Sequence, residues 1–330
     1  MEKIKLLMNV GTCFSATSPF HYTVSWDHKC VWSGHTKEPQ YLYNMWEGKS
    51  QIREDCVVMC KGLPDIPKDQ PNKWYEQRLS NLRKEISDKG QKPEILGVHS
   101  EYIEGKWTSD EINEFFRSSL SIEKYIRYWT RHWERIKGIY EWVGDFSNQS
   151  AVLPVDFMMS IRDQLLEHFD IKVTMQFRDP VRRLFSAANK NVKLGYYPDG
   201  EPIDVMYQWL SGTFEPNAYY SQIYERHAQV WGAENVKAIV MEEFWNPDNK
   251  KEQLAELSDF LNYKFTKIHR NVYYPDMGKD APRYEHLGDQ YSSDFVNLTE
   301  DQYKKCFDLM KEVYIEYEKT FGYVPHEWGK

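Results

Sequence analysis

A chain of 330 residues with 41% hydrophobic and 15% aromatic side chains has ample apolar surface to bury a core, which excludes a disordered protein. Its formal charge is −8 and no basic face stands out, so a nucleic-acid partner, whose phosphates reward clustered Lys and Arg, is not expected. The five cysteines are odd in number and scattered, with no second pair beside Cys56 and Cys60, so they read as free thiols of a reducing compartment rather than a zinc site.

In chain order, "IKLLMNV" (4–10) is an apolar run stopped by Gly11, the pattern of a buried strand. A cluster of small and hydroxyl residues follows, and 15 to about 26 suits a helix that tolerates Pro19 in its first turn. Residues 28–43 hold a short strand and a loop. Residues 50–92 read as helical around a turn at "GLPDIPKDQPNK", with a strand at 94–100 and a helix capped by Ser109. A long helix is expected over 122–142 and an amphipathic one over 158–169. "IKVTMQFRD" (171–179) is the clearest strand, and Pro180 starts a helix behind it. A helix over 219–232, a strand over 236–244 and helices over 250–263 and 300–322 complete the reading. Alternating strands and helices imply an α/β fold, a mostly parallel central sheet flanked by helices. One domain over 1–330 is expected, with a helical insertion around 50–140. With no basic-then-apolar leader and no stretch near the roughly 18 apolar residues of a membrane span, the expected setting is cytoplasmic, without membrane contact.

Two loops carry chemistry. A strand, a glycine and a hydroxyl-rich turn into a helix is how the chain points backbone amides at a phosphate. A nucleoside-triphosphate loop would need G-x-x-x-x-G-K-[ST]; here Ala16 stands for the second Gly and Thr17 for the Lys. The loop therefore suits an anion with fewer phosphates, held by amides and the hydroxyls of Thr17 and Ser18; a plain strand-to-helix turn is the alternative. In "VTMQFRDPVRRLFSAAN", Arg178 ends a strand and Ser186 lies eight residues on, within reach of one phosphate if the chain turns between them. The alternative makes Arg178, Arg182 and Arg183 surface charges.

This succession, strand, hydroxyl loop and helix, then strand-R-D-P-x-x-R-x-x-S, resembles the sulfotransferases that use 3′-phosphoadenosine 5′-phosphosulfate (PAPS). The resemblance implies a P-loop-like sulfotransferase fold in which Ser15, Ala16, Thr17 and Ser18 grip the 5′-phosphosulfate, while Arg178 and Ser186 grip the 3′-phosphate. Arg183 takes the place of the motif's second Arg. "GHTKEPQYLY" resembles the K-E-x-H segment of the carbohydrate-type branch, nearer to it than to the cytosolic phenol branch. That likeness makes Glu38 the general base with Lys37 beside it. "EWVGDFS" resembles a later G-E-x-[ST]-P element, with Asp145 for its acid and Ser147 for its hydroxyl, and "MEEF" resembles a closing E-[DE]-[LF]. Lys279 and Arg283 fall where members close a basic loop over the nucleotide. His21, His35 and His99 are alternative bases.

The implied reaction moves a sulfuryl group from PAPS to a hydroxyl or amine of a small-molecule or sugar acceptor. It leaves adenosine 3′,5′-bisphosphate (PAP) and requires no metal. The 50–140 insertion would build the acceptor side. One departure matters: Phe14 stands where many members carry a Lys or Arg that steadies the leaving phosphate. The alternative is thus a catalytically inactive PAPS- or PAP-binding module of the same fold. Oligomeric state is not legible.

Overall fold

Residues 2–12, 15, 17–34, 39–49, 119–193, 197, 200–211, 219–268 and 298–329 are described by a computed structural model. The expectations for 50–118 lie outside these residues. The described residues form a parallel sheet of five strands, β1 (Ile4–Asn9), β2 (Val31–Trp32), β3 (Trp142–Asp145), β4 (Phe169–Phe177) and β5 (Val236–Val240), in the order β2-β3-β1-β4-β5. Chain order reverses at β1, and ligands of such sheets collect beyond the carboxyl ends of the strands at that point. The strands are buried mainly towards their carboxyl ends, β1 from Leu6 to Asn9 and β4 from Val173 to Phe177, and β3 is buried throughout. No helix among the described residues is long and apolar enough to cross a membrane.

The chain divides into two compact units. The first comprises Met1–Asn9 and Lys29–Ile171. In it β1 pairs with β3 (Leu6 opposite Val143) and β3 with β2 (Val31 opposite Trp142). Short helix α1 (Thr17–His21) belongs to the other unit; here lie α2 (Tyr41–Trp46), α3 (Ile122–Ile136) and α4 (Val155–His168). Ser121 caps α3 by accepting from the Lys124 amide. Ile122, Tyr125, Ile126, Trp129, His132 and Ile136, at helical spacing, form its buried face. Trp129 and Tyr128 pack on Trp32 of β2 at ring distances of 5.8 and 6.2 Å. The helix expected over 122–142 stops at Ile136: Gly138 adopts φ +94°, a left-handed turn that sends Trp142–Asp145 into the sheet as β3.

The second unit comprises Val10–His28 and Lys172–Lys330. α1 runs on as a π-helix, Tyr22–Asp27, so the helix expected from 15 to 26 forms with a wider second half. α5 (Pro180–Lys193), α7 (Tyr220–Trp231) and α9 (Lys250–Leu261) lie close to their expected spans. α6 (Pro202–Ser211) was not anticipated. The strand expected over 236–244 ends at Val240, and Met241–Trp245 forms α8. The single helix expected over 300–322 is two, α10 (Glu300–Leu309) and α11 (Lys311–Phe321), with Met310 non-helical between them. A capping box of Thr299 and Gln302 starts α10.

Candidate functional site

The loop after β1 and the turn after β4 both belong to the second unit. The Val10 amide donates to the Thr174 carbonyl at 2.9 Å, carrying the chain alongside β4 as it leaves the sheet. Gly11 follows at a point where no side chain fits: a β-carbon would stand 2.2 Å from Gln176 Oε1 and 3.0 Å from the Gln176 amide nitrogen. Thr12 Oγ1 donates to the Gln176 carbonyl (3.2 Å). Its hydrogen being used there, the 2.6 Å contact between Thr12 and Ser15 hydroxyls is donated by Ser15. The Ser15 amide returns to the Thr12 carbonyl at 3.2 Å, closing a tight turn. Thr12, Ser15 and Thr17 are buried, Thr17 as the first residue of α1, with Ser18 in the same turn. Ala16 lies outside the described residues, as does Phe14. The hydroxyls of Thr12 and Ser15 thus brace the turn from within.

Arg178 is the first residue past β4. Its Nη1 donates to Ser186 Oγ at 2.9 Å, so the α5 turn brings together the two residues that the eight-residue spacing singled out. Both are half-buried. The surface-charge alternative is corrected for one neighbour: Arg183 is fully buried, because α5 turns it inward, whereas Arg182 is exposed and lies over the Tyr303 ring at 5.3 Å. The Arg178 carbonyl accepts from Tyr220 OH at 2.7 Å. Burial pushes the Tyr220 phenol up to about 12, against the lowering effect of the Arg183 charge, which keeps it a donor.

Sequence reasoning did not give Asp179 a role. It is fully buried and caps α5, its Oδ1 accepting from the Arg182 amide at 2.9 Å. Its Oδ2 accepts from Tyr303 OH at 2.6 Å, Tyr314 OH at 3.3 Å and the Gly329 amide at 3.4 Å. Its own amide donates to Glu242 Oε1 at 3.1 Å, and Glu242 Oε2 accepts from the Trp328 indole at 3.0 Å. Burial raises the Glu242 carboxyl above its ordinary value, while the Trp328 and Asp179 hydrogen bonds and the Arg178 charge pull it back. The only signal for this cluster was the R-D-P and E-E-F patterns themselves; the tyrosines come from more than a hundred residues away.

In the first unit, Asp145 closes β3. Its Oδ1 accepts from Ser147 Oγ and its Oδ2 from Tyr125 OH at 2.9 Å. Ser147 Oγ in turn accepts the Gln40 amide at 2.8 Å. Gln40 holds a left-handed conformation (φ 51°), with its side chain bonded to Asn148 Oδ1 and to the Gln149 amide. Burial raises Asp145 above its ordinary value, offset in part by the Ser147 and Tyr125 hydrogen bonds. The acid and hydroxyl paired in the sequence reading are thus joined to each other and to the residue two beyond Glu38. Lys37, Glu38, Lys279 and Arg283 lie outside the described residues, as do His35 and His99; His21 is buried in α1. Among the described residues no group of three His, Cys, Asp or Glu is arranged to hold a metal ion.

The described residues thus combine a parallel α/β sheet with a glycine–hydroxyl turn after β1 and an arginine directly after β4. No protein-family model and no curated protein sequence matches the chain. Among solved structures, the sulfotransferase from Alicyclobacillus acidocaldarius matches over 100% of both chains, with a TM-score of 0.54 at 14% identity. The sulfotransferase domain from the curacin biosynthetic pathway matches 94% of this chain and 98% of its own, with a TM-score of 0.48 at 13% identity. The sulfotransferase domain from the Synechococcus PCC 7002 olefin synthase matches over 98% and 97%, with a TM-score of 0.45 at 13% identity. The likeness that carries weight is the first, and it is one of fold: the chain has the architecture of a sulfotransferase.

Proposed function

We propose that the protein transfers a sulfuryl group from PAPS to a hydroxyl or amine of a small-molecule or sugar acceptor. The observation that carries this reading is the Arg178–Ser186 pair, 2.9 Å apart at the carboxyl end of β4 and in the same unit as the glycine–hydroxyl turn. The residues fit the donor's nucleotide. Ser186 accepts from Arg178 and so keeps its own hydrogen to donate to a 3′-phosphate, beside a planar guanidinium fork that matches phosphate oxygens. Ser15, Ala16, Thr17 and Ser18 would line the 5′-phosphosulfate, with the closest approach made through backbone amides.

When bound, the donor supplies a sulfuryl group activated by a phosphate leaving group. The chain's part is positioning and charge. Arg178 and Ser186 anchor the nucleotide, and Glu38 takes the acceptor proton. Lys37, Lys279 and Arg283 would supply the positive charge that Phe14 does not. Glu38→Ala should lower the rate of transfer from labelled PAPS about 10²–10⁴-fold while leaving PAP affinity unchanged, as expected of a general base. Equal rates in the variant would remove Glu38 from the mechanism.

Phe14 favours a second reading, an inactive module that binds PAPS or PAP. A screen of small hydroxylated acceptors and sugars with labelled PAPS separates the two. Label moving to any acceptor at a rate above the protein-free control supports the enzyme; PAP binding without transfer supports the module.

A further inference from the structure

Trp328 lies far along the chain from Arg178 yet ends up hydrogen-bonded one step from it. Its ring is buried among Tyr220, Tyr314 and Tyr317, at ring distances of 5.9, 6.2 and 4.6 Å. Its indole N–H, a donor that cannot accept, meets Glu242 Oε2 at 3.0 Å. The other oxygen of the same carboxylate takes the Asp179 amide at 3.1 Å. That amide is the peptide bond joining Arg178 to Asp179, and the carbonyl of the same peptide accepts from Tyr220 OH at 2.7 Å. Both polar ends of the peptide that follows the Arg178 side chain are therefore held.

Two N–H donors converge on the two oxygens of one buried side chain, and only a carboxylate accepts at both. A Gln in its place would turn an NH2 group against one of them. The 325–329 segment is fastened to the same turn a second time, the Gly329 amide donating to Tyr303 OH at 2.8 Å and to Asp179 Oδ2 at 3.4 Å. The Arg178 charge also acts on the Glu242 carboxyl.

We infer that Trp328 is a positioning residue for the Arg178 turn: its indole fixes the Glu242 carboxylate, which holds the Asp179 amide and so aims Arg178 at the donor's 3′-phosphate. The last step rests on the donor-site reading above; the link from Trp328 to the Asp179 amide does not.

Two measurements on the full chain test it. The first is amide hydrogen exchange of the Asp179 N–H in the unmodified protein, in Trp328→Phe, which keeps an aromatic ring and loses the N–H, and in Glu242→Gln. Exchange should speed up at least tenfold in both variants. The second is the Kd for PAP and for adenosine 5′-phosphosulfate, which lacks the 3′-phosphate. PAP affinity should fall about tenfold in each variant, with adenosine 5′-phosphosulfate affinity unchanged. A merely structural role would weaken both ligands alike or neither, leaving the ratio of their affinities fixed, and that result would overturn the inference. Unchanged exchange in both variants overturns it whatever the ligands do. If the unmodified protein binds no PAP, the donor-site reading is what has failed and the positioning role falls with it, even where the exchange rates respond.

Discussion

Gly11 shows how one atom decides the geometry of the site. The loop leaves β1 so close to β4 that a methyl group would collide with Gln176 Oε1, with Thr17 Cγ2 at 2.9 Å and with the Gln176 amide nitrogen. The amide cannot yield without moving β4. Gly11→Ala should therefore destabilise the protein by about 1–3 kcal/mol, the usual cost of overpacking, read as a lower denaturant midpoint at unchanged slope. An unchanged midpoint would show that the loop has room. Ser186→Ala tests the neighbouring residue: losing one hydroxyl partner of a charged group should weaken PAP about ten- to hundredfold, equivalent to about 1.5–3 kcal/mol. The Arg178–Ser186 pair was legible in the sequence because an eight-residue spacing across a strand–helix turn is a local matter. Asp179 and Arg183 were not. Asp179 meets Tyr303 across 124 residues of chain, and nothing local distinguishes a buried arginine from a solvated one.

At the scale of elements, the short strands were hardest to read. β2 has two residues and β3 four, too few for any period, and β3 exists because Gly138 breaks the preceding helix. Gly144 within it leaves no space for a side chain, a β-carbon falling 2.4 Å from Val31 Cγ1, so a residue that looks like a strand breaker is what lets β3 lie against β2. The error at 236–244 has the same source: "VKAIVMEEF" is apolar enough for a strand throughout, but the sheet ends at Val240 and Glu242 is needed in a helix facing Asp179. Met310 splits α10 from α11 with no Gly or Pro to announce it.

Asp145 at the end of β3 gives this scale its prediction. Burial raises its pKa in the folded chain, so folding favours the protonated form. Its contribution to stability is fully present below the ordinary 3.8 and is lost as pH rises through the raised value. The stability of the unmodified chain minus that of Asp145→Asn should therefore fall as pH climbs from about 3.8, as read from denaturant unfolding over a pH series. A difference that stays flat or rises would contradict the burial account.

For the whole molecule, alternation of strands and helices was enough to expect a parallel sheet flanked by helices, and the described residues form a parallel sheet of five strands. Strand order was not legible, since it depends on which side of β1 each crossover returns, a property of long-range packing rather than of any segment. The match to the Alicyclobacillus acidocaldarius sulfotransferase over the full length of both chains, at 14% identity, is a likeness of architecture with little of the sequence in common. What the account stakes on that architecture is a nucleotide site read through its 3′-phosphate. The most direct test is calorimetric titration of the purified protein and of Arg178→Ala with PAP and with ATP. Micromolar binding of PAP by the unmodified protein, at least tenfold weaker in the variant and absent for ATP, is the predicted result. No binding of PAP, or equal binding of PAP and ATP, would contradict the donor site and with it both the enzyme and the inactive-module readings.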